Sequence, residues 1–266
     1  MPDAKVPPMR VIAYGSLPDQ VGDLYLPAGG SNGAGANRAV ICLLHGGFWR
    51  VRYGREYIAP LALDLARRGF AVWNLEYRRV GTPGGGWPGT LDDVAAGIDY
   101  LAALAVRGEP IDTAQVTAVG HSAGGHLALW AAQRRAARRV RIAAAVGLAA
   151  VSDLRLAYER HLSHGAVEDF MGGTPDGVAE RYRAASPAEL LPLGVRQLLI
   201  HGTLDEDVPV EISRRYVATA RAAGDTVSYI ELATARHMDL VDPHCEAHAA
   251  MCRWLRDPAD SFANMS

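Results

Sequence analysis

The chain has 266 residues, of which 49% are apolar and 21% charged, with 28 glycines and 15 prolines. This is the composition of a globule with a core, and it excludes a disordered chain, a collagen and a coiled coil. With 27 basic against 29 acidic side chains the net charge is −2, so no broad positive field exists to hold nucleic acid or an anionic membrane. A chain this long buries roughly three-quarters of its unfolded surface and needs no disulfide or structural metal to fold. Lys5 is the only lysine, and the Arg134-Arg135 and Arg138-Arg139 pairs read as a solvated helix face. Cys42, Cys245 and Cys252 form no CxxC, which points to a reducing, cytoplasmic setting, with Cys42 an inert core residue. The start, with three prolines before Arg10, has no secretory h-region, and no apolar run reaches the length of a membrane span.

In chain order, Arg10–Tyr14 and Asp23–Leu26 read as an antiparallel edge hairpin, and Ala28–Asn37 as a Gly- and Ser-rich loop. The continuous apolar run Ala39–Leu44 predicts a strand buried on both faces. Glu56–Arg68 has helical spacing and stops at Gly69, a C-cap residue. Phe70–Leu75 is the next strand, and Thr90 with Asp93 forms a capping box for a helix running through Ala105. Val116–Val119, Ile142–Ala149, Gln197–His201 and Val227–Leu232 follow as strands. Between and after them, helices are expected at Ala123–Arg138, Val210–Ala223 and His244–Leu255. Residues 152–192 break this rhythm with short amphipathic pieces and are expected to form a small cap over one end of the sheet. The alternation predicts an α/β architecture in one domain spanning 1–266: a mostly parallel central sheet flanked by helices. Function in such sheets gathers at the carboxyl ends of the strands.

Gly120-His121-Ser122-Ala123-Gly124 lies there, with a strand before it and a helix after it. The turn is tight enough to strain the serine backbone, so side chains two residues to either side would collide. It lifts the Ser122 hydroxyl clear and sets the Ala123 N–H at a helix N-terminus. His45-Gly46-Gly47-Phe48-Trp49 follows another strand. The N–H of Gly47 or Phe48, together with that of Ala123, can receive the negative charge that acyl transfer builds on a carbonyl oxygen. A serine needs a base, and the base needs an orienting acid. Asp205 lies just past one strand, with Asp207 as its rival, and His237 just past the next. His45, His121, His126 and His201 read as structural, while His161 and His164 in the cap are placed to touch substrate. Asp239 and Asp242 read as bonding nearby backbone or capping the last helix.

Two signals are set aside. Gly84-Gly85-Gly86-Trp87-Pro88-Gly89 matches a dinucleotide fingerprint, but the proline removes an N–H that a phosphate needs, and the loop follows the second strand of the sheet series. His244 and His248 share a helix face at zinc-like spacing, but without the glutamate of H-E-x-x-H they read as an amphipathic helix.

Together these motifs resemble the α/β-hydrolase superfamily over about Ala39–Leu255. The aromatic pair after His45-Gly46-Gly47 is similar to the esterase and kynurenine formamidase branch, whereas the lipase-like branch carries a third glycine where Phe48 stands. Glu76-Tyr77-Arg78 is also similar to a strand end of small esterases in this group. The resemblance implies Ser122, Asp205 and His237 as a catalytic triad, Gly47, Phe48 and Ala123 as oxyanion donors, and no cofactor or metal. It implies a serine hydrolase acting on a small ester or N-formyl amide; the charge balance and short apolar runs point to no nucleic-acid or membrane partner, and a homodimer is left open. Trp49, Tyr53, Trp87 and His161 are the expected substrate-pocket residues, and the aromatics Phe48, Trp49, Tyr53 and Trp87 suit an aryl-bearing leaving group. The rival readings are a kynurenine formamidase specifically, an oligopeptidase-like hydrolase, and a non-catalytic binding protein on the same fold.

Overall fold

The computed structural model describes residues 9–28, 38–133 and 139–257. Two short strands, β1 (Met9–Ala13) and β2 (Val21–Tyr25), pair antiparallel at the sheet edge, as the hairpin reading expects. β3 (Arg38–Leu44) leads into a 3-10 turn at Arg55–Ile58 and then α1 (Ala59–Arg67). Gly69 follows with φ of 102°, a left-handed conformation that ends the helix at little steric cost. β4 (Ala71–Leu75), α2 (Gly89–Val106), β5 (Ile111–His121), α3 (Ala123–Ala132) and β6 (Ile142–Leu148) continue the alternation. Three short helices come next: α4 (Leu154–Glu159), α5 (Ala166–Met171) and α6 (Ala179–Ala185). β7 (Arg196–Gly202), α7 (Val210–Ala222), β8 (Val227–Leu232) and α8 (Glu246–Arg256) follow within the described residues.

The sheet order is β1-β2-β4-β3-β5-β6-β7-β8, parallel from β4 to β8 and antiparallel at β1 and β2. β3 shows why: Val40, Cys42 and Leu44 face one apolar core, while Ile41 and Leu43 face the other. A strand with both faces covered needs apolar residues at every position. α2, α3 and α7 pack on the first face, and α1 and α8 on the second. Among the described residues no helix is long and apolar enough to cross a membrane.

Three local expectations need correction. The capping box at Thr90 and Asp93 does not form. Thr90 Oγ1 donates to Arg78 O, and Asp93 takes a bidentate pair of bonds from the Arg78 guanidinium, both at 2.7 Å, so neither side chain is left for the helix end. The helix predicted to reach Arg138 ends at Ala132; residues 134–138 and most of the 28–37 loop lie outside the described residues. The last helix begins at Glu246 rather than His244, because Asp242 accepts the His244 N–H in a turn and the Cys245 thiol accepts that of His248.

The 152–192 insertion is packed into the core. Leu154, Phe170, Met171 and Tyr182 are buried in the same cluster as α3. His126 of α3 donates to Ala185 O at 3.0 Å, Trp130 donates to Ala184 O at 3.1 Å, and Arg50 reaches Ser163 O and Asp169.

Candidate active site

The residues that matter sit on loops leaving the carboxyl ends of β3, β5, β7 and β8. Between β5 and α3, Ser122 has φ of 58° and ψ of −121°. A non-glycine residue there is strained, and the surrounding backbone must hold it. Ser122 N donates to Leu148 O at 2.8 Å, and Ser122 O accepts from His126 N and Val151 N. The flanking glycines are sterically obligatory: a Cβ on Gly120 would stand 2.0 Å from Gly124 O, and one on Gly124 would stand 2.0 Å from Leu44 O. Ser122 Oγ is buried and has no hydrogen bond among the described residues. Such bonds are often loose without substrate and tighten when it binds.

His237 Nδ1 donates to Asp205 Oδ2 at 2.7 Å, which leaves Nε2 as the free basic nitrogen of the neutral ring. Burial pushes the Asp205 carboxyl up, but hydrogen bonds from His201 and His237 outweigh it and hold the group well below the usual carboxylate range. Asp205 Oδ1 also accepts the Asp207 and Val208 N–H groups, at 2.9 and 2.8 Å. Of the two rival acids, Asp205 therefore bonds to His237, while Asp207 is exposed on the cleft wall. His201 is fixed on both sides, with Nε2 donating to Val208 O and Nδ1 accepting from Ser213 Oγ. Asp239 and Asp242 accept the backbone N–H groups of Arg236 and His244.

The loop after β3 turns through three consecutive left-handed residues, Gly47, Phe48 and Trp49, with φ of 100°, 53° and 55°. His45 anchors its start, bonding Gly46 O and Glu76 Oε1, each at 2.8 Å, and stacking on Tyr77. Glu76 is buried yet held below its ordinary pKa: burial raises it, and the His45 hydrogen bond with nearby Arg79 more than offsets that. Arg79 reaches the far end of the loop through Tyr53 O at 2.6 Å. The N–H groups of Gly47 and Phe48 have no hydrogen-bond partner among the described residues. That of Ala123, the first residue of α3, has no carbonyl to bond within its helix.

A cleft of about 310 Å³ joins these parts, lined by Gly47, Phe48, Tyr53, Tyr57, His121, Ser122, Asp207, His237 and Met238. Of the four expected pocket residues only Tyr53 lines it. Trp49 is fully buried, stacked on Phe170 at 4.5 Å and donating to His126 Nδ1. The turn sends Phe48 to the cleft and its neighbour to the core. Trp87 is half-buried, with its backbone N–H donating to Phe170 O. His161 lines a separate small hollow within the insertion, beside Tyr158 and Glu168. Sequence reasoning missed Tyr57 and Met238; Tyr57 lies in the 3-10 turn before α1, where helical spacing made it read as an ordinary helix residue.

His248, set aside as a zinc ligand, donates from Nε2 to Asp64 Oδ2 at 2.5 Å with Cys252 Sγ 3.4 Å away. The Arg68 guanidinium takes the same Asp64 oxygen, so the group is a hydrogen-bonded contact between α1 and α8.

The strand order and the serine turn define the α/β-hydrolase fold. Residues 23–219 match the family model BD-FAE, and the chain belongs to that family. It is similar to the isoprenylcysteine alpha-carbonyl methylesterase ICME of Arabidopsis thaliana, 26% identical over 255 residues. That match covers 87% of this chain and 56% of the relative; for two further plant homologues the second figure is 57% and 59%. The chain thus spans less than two-thirds of the length of these curated relatives. In fold it is similar to a truncated carbohydrate esterase from gut microbiota, with a TM-score of 0.78, 20% identity, and 95% and 96% of the two chains covered. The propionate-bound esterase Est2 of Thermogutta terrifontis aligns with a TM-score of 0.71 at 20% identity, covering 94% and 92%.

Proposed function

We propose that the protein is a serine esterase that cleaves small carboxylic esters through an acyl-enzyme on Ser122. The observation that carries this reading is one cleft holding a strained serine at a helix N-terminus and a histidine whose other nitrogen is bonded to a buried aspartate. His237 Nε2 takes the Ser122 proton as Oγ attacks the carbonyl carbon. The negative oxygen of the tetrahedral intermediate is received by the N–H groups of Ala123 and of Gly47 or Phe48, each worth roughly 3 kcal/mol. His237 then gives its proton to the leaving alcohol, and water repeats the sequence in reverse to free the acid. Asp205 holds the tautomer and stabilises the imidazolium.

Esterase names among the plant relatives and the fold neighbours support the ester reading. The N-formyl amide alternative leaned on an aromatic pocket. With Trp49 in the core and Trp87 outside the lining, its support shrinks to Phe48 and Tyr53. The test is kcat/KM for p-nitrophenyl acetate and butyrate beside N-formylkynurenine, with Ser122→Ala as blank. Short esters are expected to be cleaved best and Ser122→Ala to lose several orders of magnitude. Undiminished turnover by Ser122→Ala overturns the serine mechanism, and preference for the formamide overturns the ester assignment.

A further inference from the structure

His121 is buried beside Ser122 and takes no part in the proton transfers above, yet it stands between the two halves of the site. Its Nε2 lies 3.0 Å from the backbone oxygen of His237. Its Nδ1 lies 3.0 Å from the Tyr57 hydroxyl, which in turn lies 2.5 Å from the Gly46 nitrogen. Four segments meet in this chain of bonds: the loop after β3, the turn before α1, the end of β5 and the loop after β8.

The protons in it can be arranged in one way. The His237 carbonyl only accepts, so His121 Nε2 carries the hydrogen. Burial, and then the neighbouring His237, press the His121 pKa down to about 3, so the ring is neutral and Nδ1 is bare. Tyr57 must spend its single proton on that nitrogen, and the Gly46 N–H fills a lone pair on the phenol oxygen. Tyr57 thus lines the cleft without a proton to offer an oxyanion. The contact is also close-packed: a Cβ on Gly46 would stand 2.6 Å from His121 O and 2.9 Å from the Tyr57 hydroxyl. The rings of His121 and His237 lie 4.4 Å apart, so a second charge on His121 would oppose the imidazolium that His237 must become.

We propose that Tyr57, acting through His121, is a positioning residue that sets the oxyanion loop and the base loop in a common register. Its aromatic ring is scaffold, and its one oxygen is the joint. The inference rests on the Ser122–His237–Asp205 reading and deepens it.

The test is Tyr57→Phe, which removes that oxygen and keeps the ring. With p-nitrophenyl acetate, kcat is expected to fall about 10- to 100-fold, the size of a sub-ångström misplacement, with KM nearly unchanged. Titration with diisopropyl fluorophosphate counts competent sites, so the loss can be assigned per site. Nitrogen-15 NMR of His121 is expected to show the Nε2–H tautomer in both proteins, because the His237 carbonyl still requires it, with the bare Nδ1 resonance displaced in Tyr57→Phe by loss of its phenol donor. Recording the same spectra on the Ser122→Ala background reads the bond chain without turnover, so failure of the serine mechanism and failure of the positioning role are separable. His121→Gln is expected to cost a similar factor in kcat, with no further loss in the double variant. A parental kcat per titrated site in Tyr57→Phe, an unchanged His121 spectrum, or additive losses in the double variant overturns the proposal.

Discussion

The loop after β3 and the insertion between β6 and β7 both leave the carboxyl edge of the sheet, and both carry several aromatic residues. Only the first reaches the cleft. Residues 45–57 supply Gly47, Phe48, Tyr53 and Tyr57 to its wall, whereas no residue of the insertion lines it. The two regions meet instead behind the wall, where Trp49 stacks on Phe170 and His126 ties Trp49 to Ala185 O. An aromatic near a catalytic motif is therefore poor evidence for a pocket: Phe48 and Trp49 are chain neighbours with opposite fates, decided by a left-handed turn.

This contrast can be broken by experiment. The largest effect belongs to the cleft. Asp205→Asn leaves His237 in the wrong tautomer and is expected to lower kcat by about 10⁴-fold. Asp207→Asn, on the same wall but not bonded to His237, is expected to leave kcat within roughly threefold, as judged by steady-state kinetics. Equal losses would assign the acid's role to both. Next comes the seam between the two regions. Trp49→Ala is expected to cost about 3–5 kcal/mol of stability in denaturant unfolding, because it empties a fully buried site. Tyr53→Ala should cost within about 0.5 kcal/mol and act on KM instead. If Trp49→Ala changes KM without loss of stability, the wall has been drawn in the wrong place.

Acid sharpens the picture from another side. Burial lowers the His126 pKa to about 4. The unfolded chain takes up that proton near pH 6.5. Between these values the unfolded state binds more protons, so stability falls as pH falls. Thermal unfolding followed between about pH 6.5 and 4 is expected to show this slope, and a shallower one in His126→Gln. The smallest effect is reserved for the insertion's own hollow: His161→Ala is expected to leave kcat/KM within about twofold. A larger change would place the insertion in substrate contact and dissolve the distinction.

Much of this was legible in the residues. Apolar runs gave the buried parallel strands, because two covered faces demand them, and glycines two places from Ser122 marked a turn that admits no Cβ. The order of Ser122, Asp205 and His237 along the chain, each after a strand, is enough to bring three loops to one sheet edge. What the sequence hid depends on direction rather than identity. Trp49, Trp87 and His161 have the chemistry of pocket residues, but turn geometry points them elsewhere. Tyr57 has no motif of its own, and its contacts with Gly46 and His121 join positions 11 and 64 residues apart. The capping box failed for a related reason: Arg78 competes for Asp93 from another element.

The mouth of the cleft has a practical consequence. Tyr53 and Met238 on its wall, with Val51 and Leu204 on the neighbouring loops, are half of the eight large apolar side chains that the described surface leaves exposed. Positions already in water can be exchanged with little cost to folding. Behind Ser122, by contrast, backbone lies against backbone with no room for a methyl group. Directed libraries aimed at bulkier alcohols should therefore diversify Tyr53 and Met238, the two exposed positions on the cleft wall, and leave the glycine-lined floor alone.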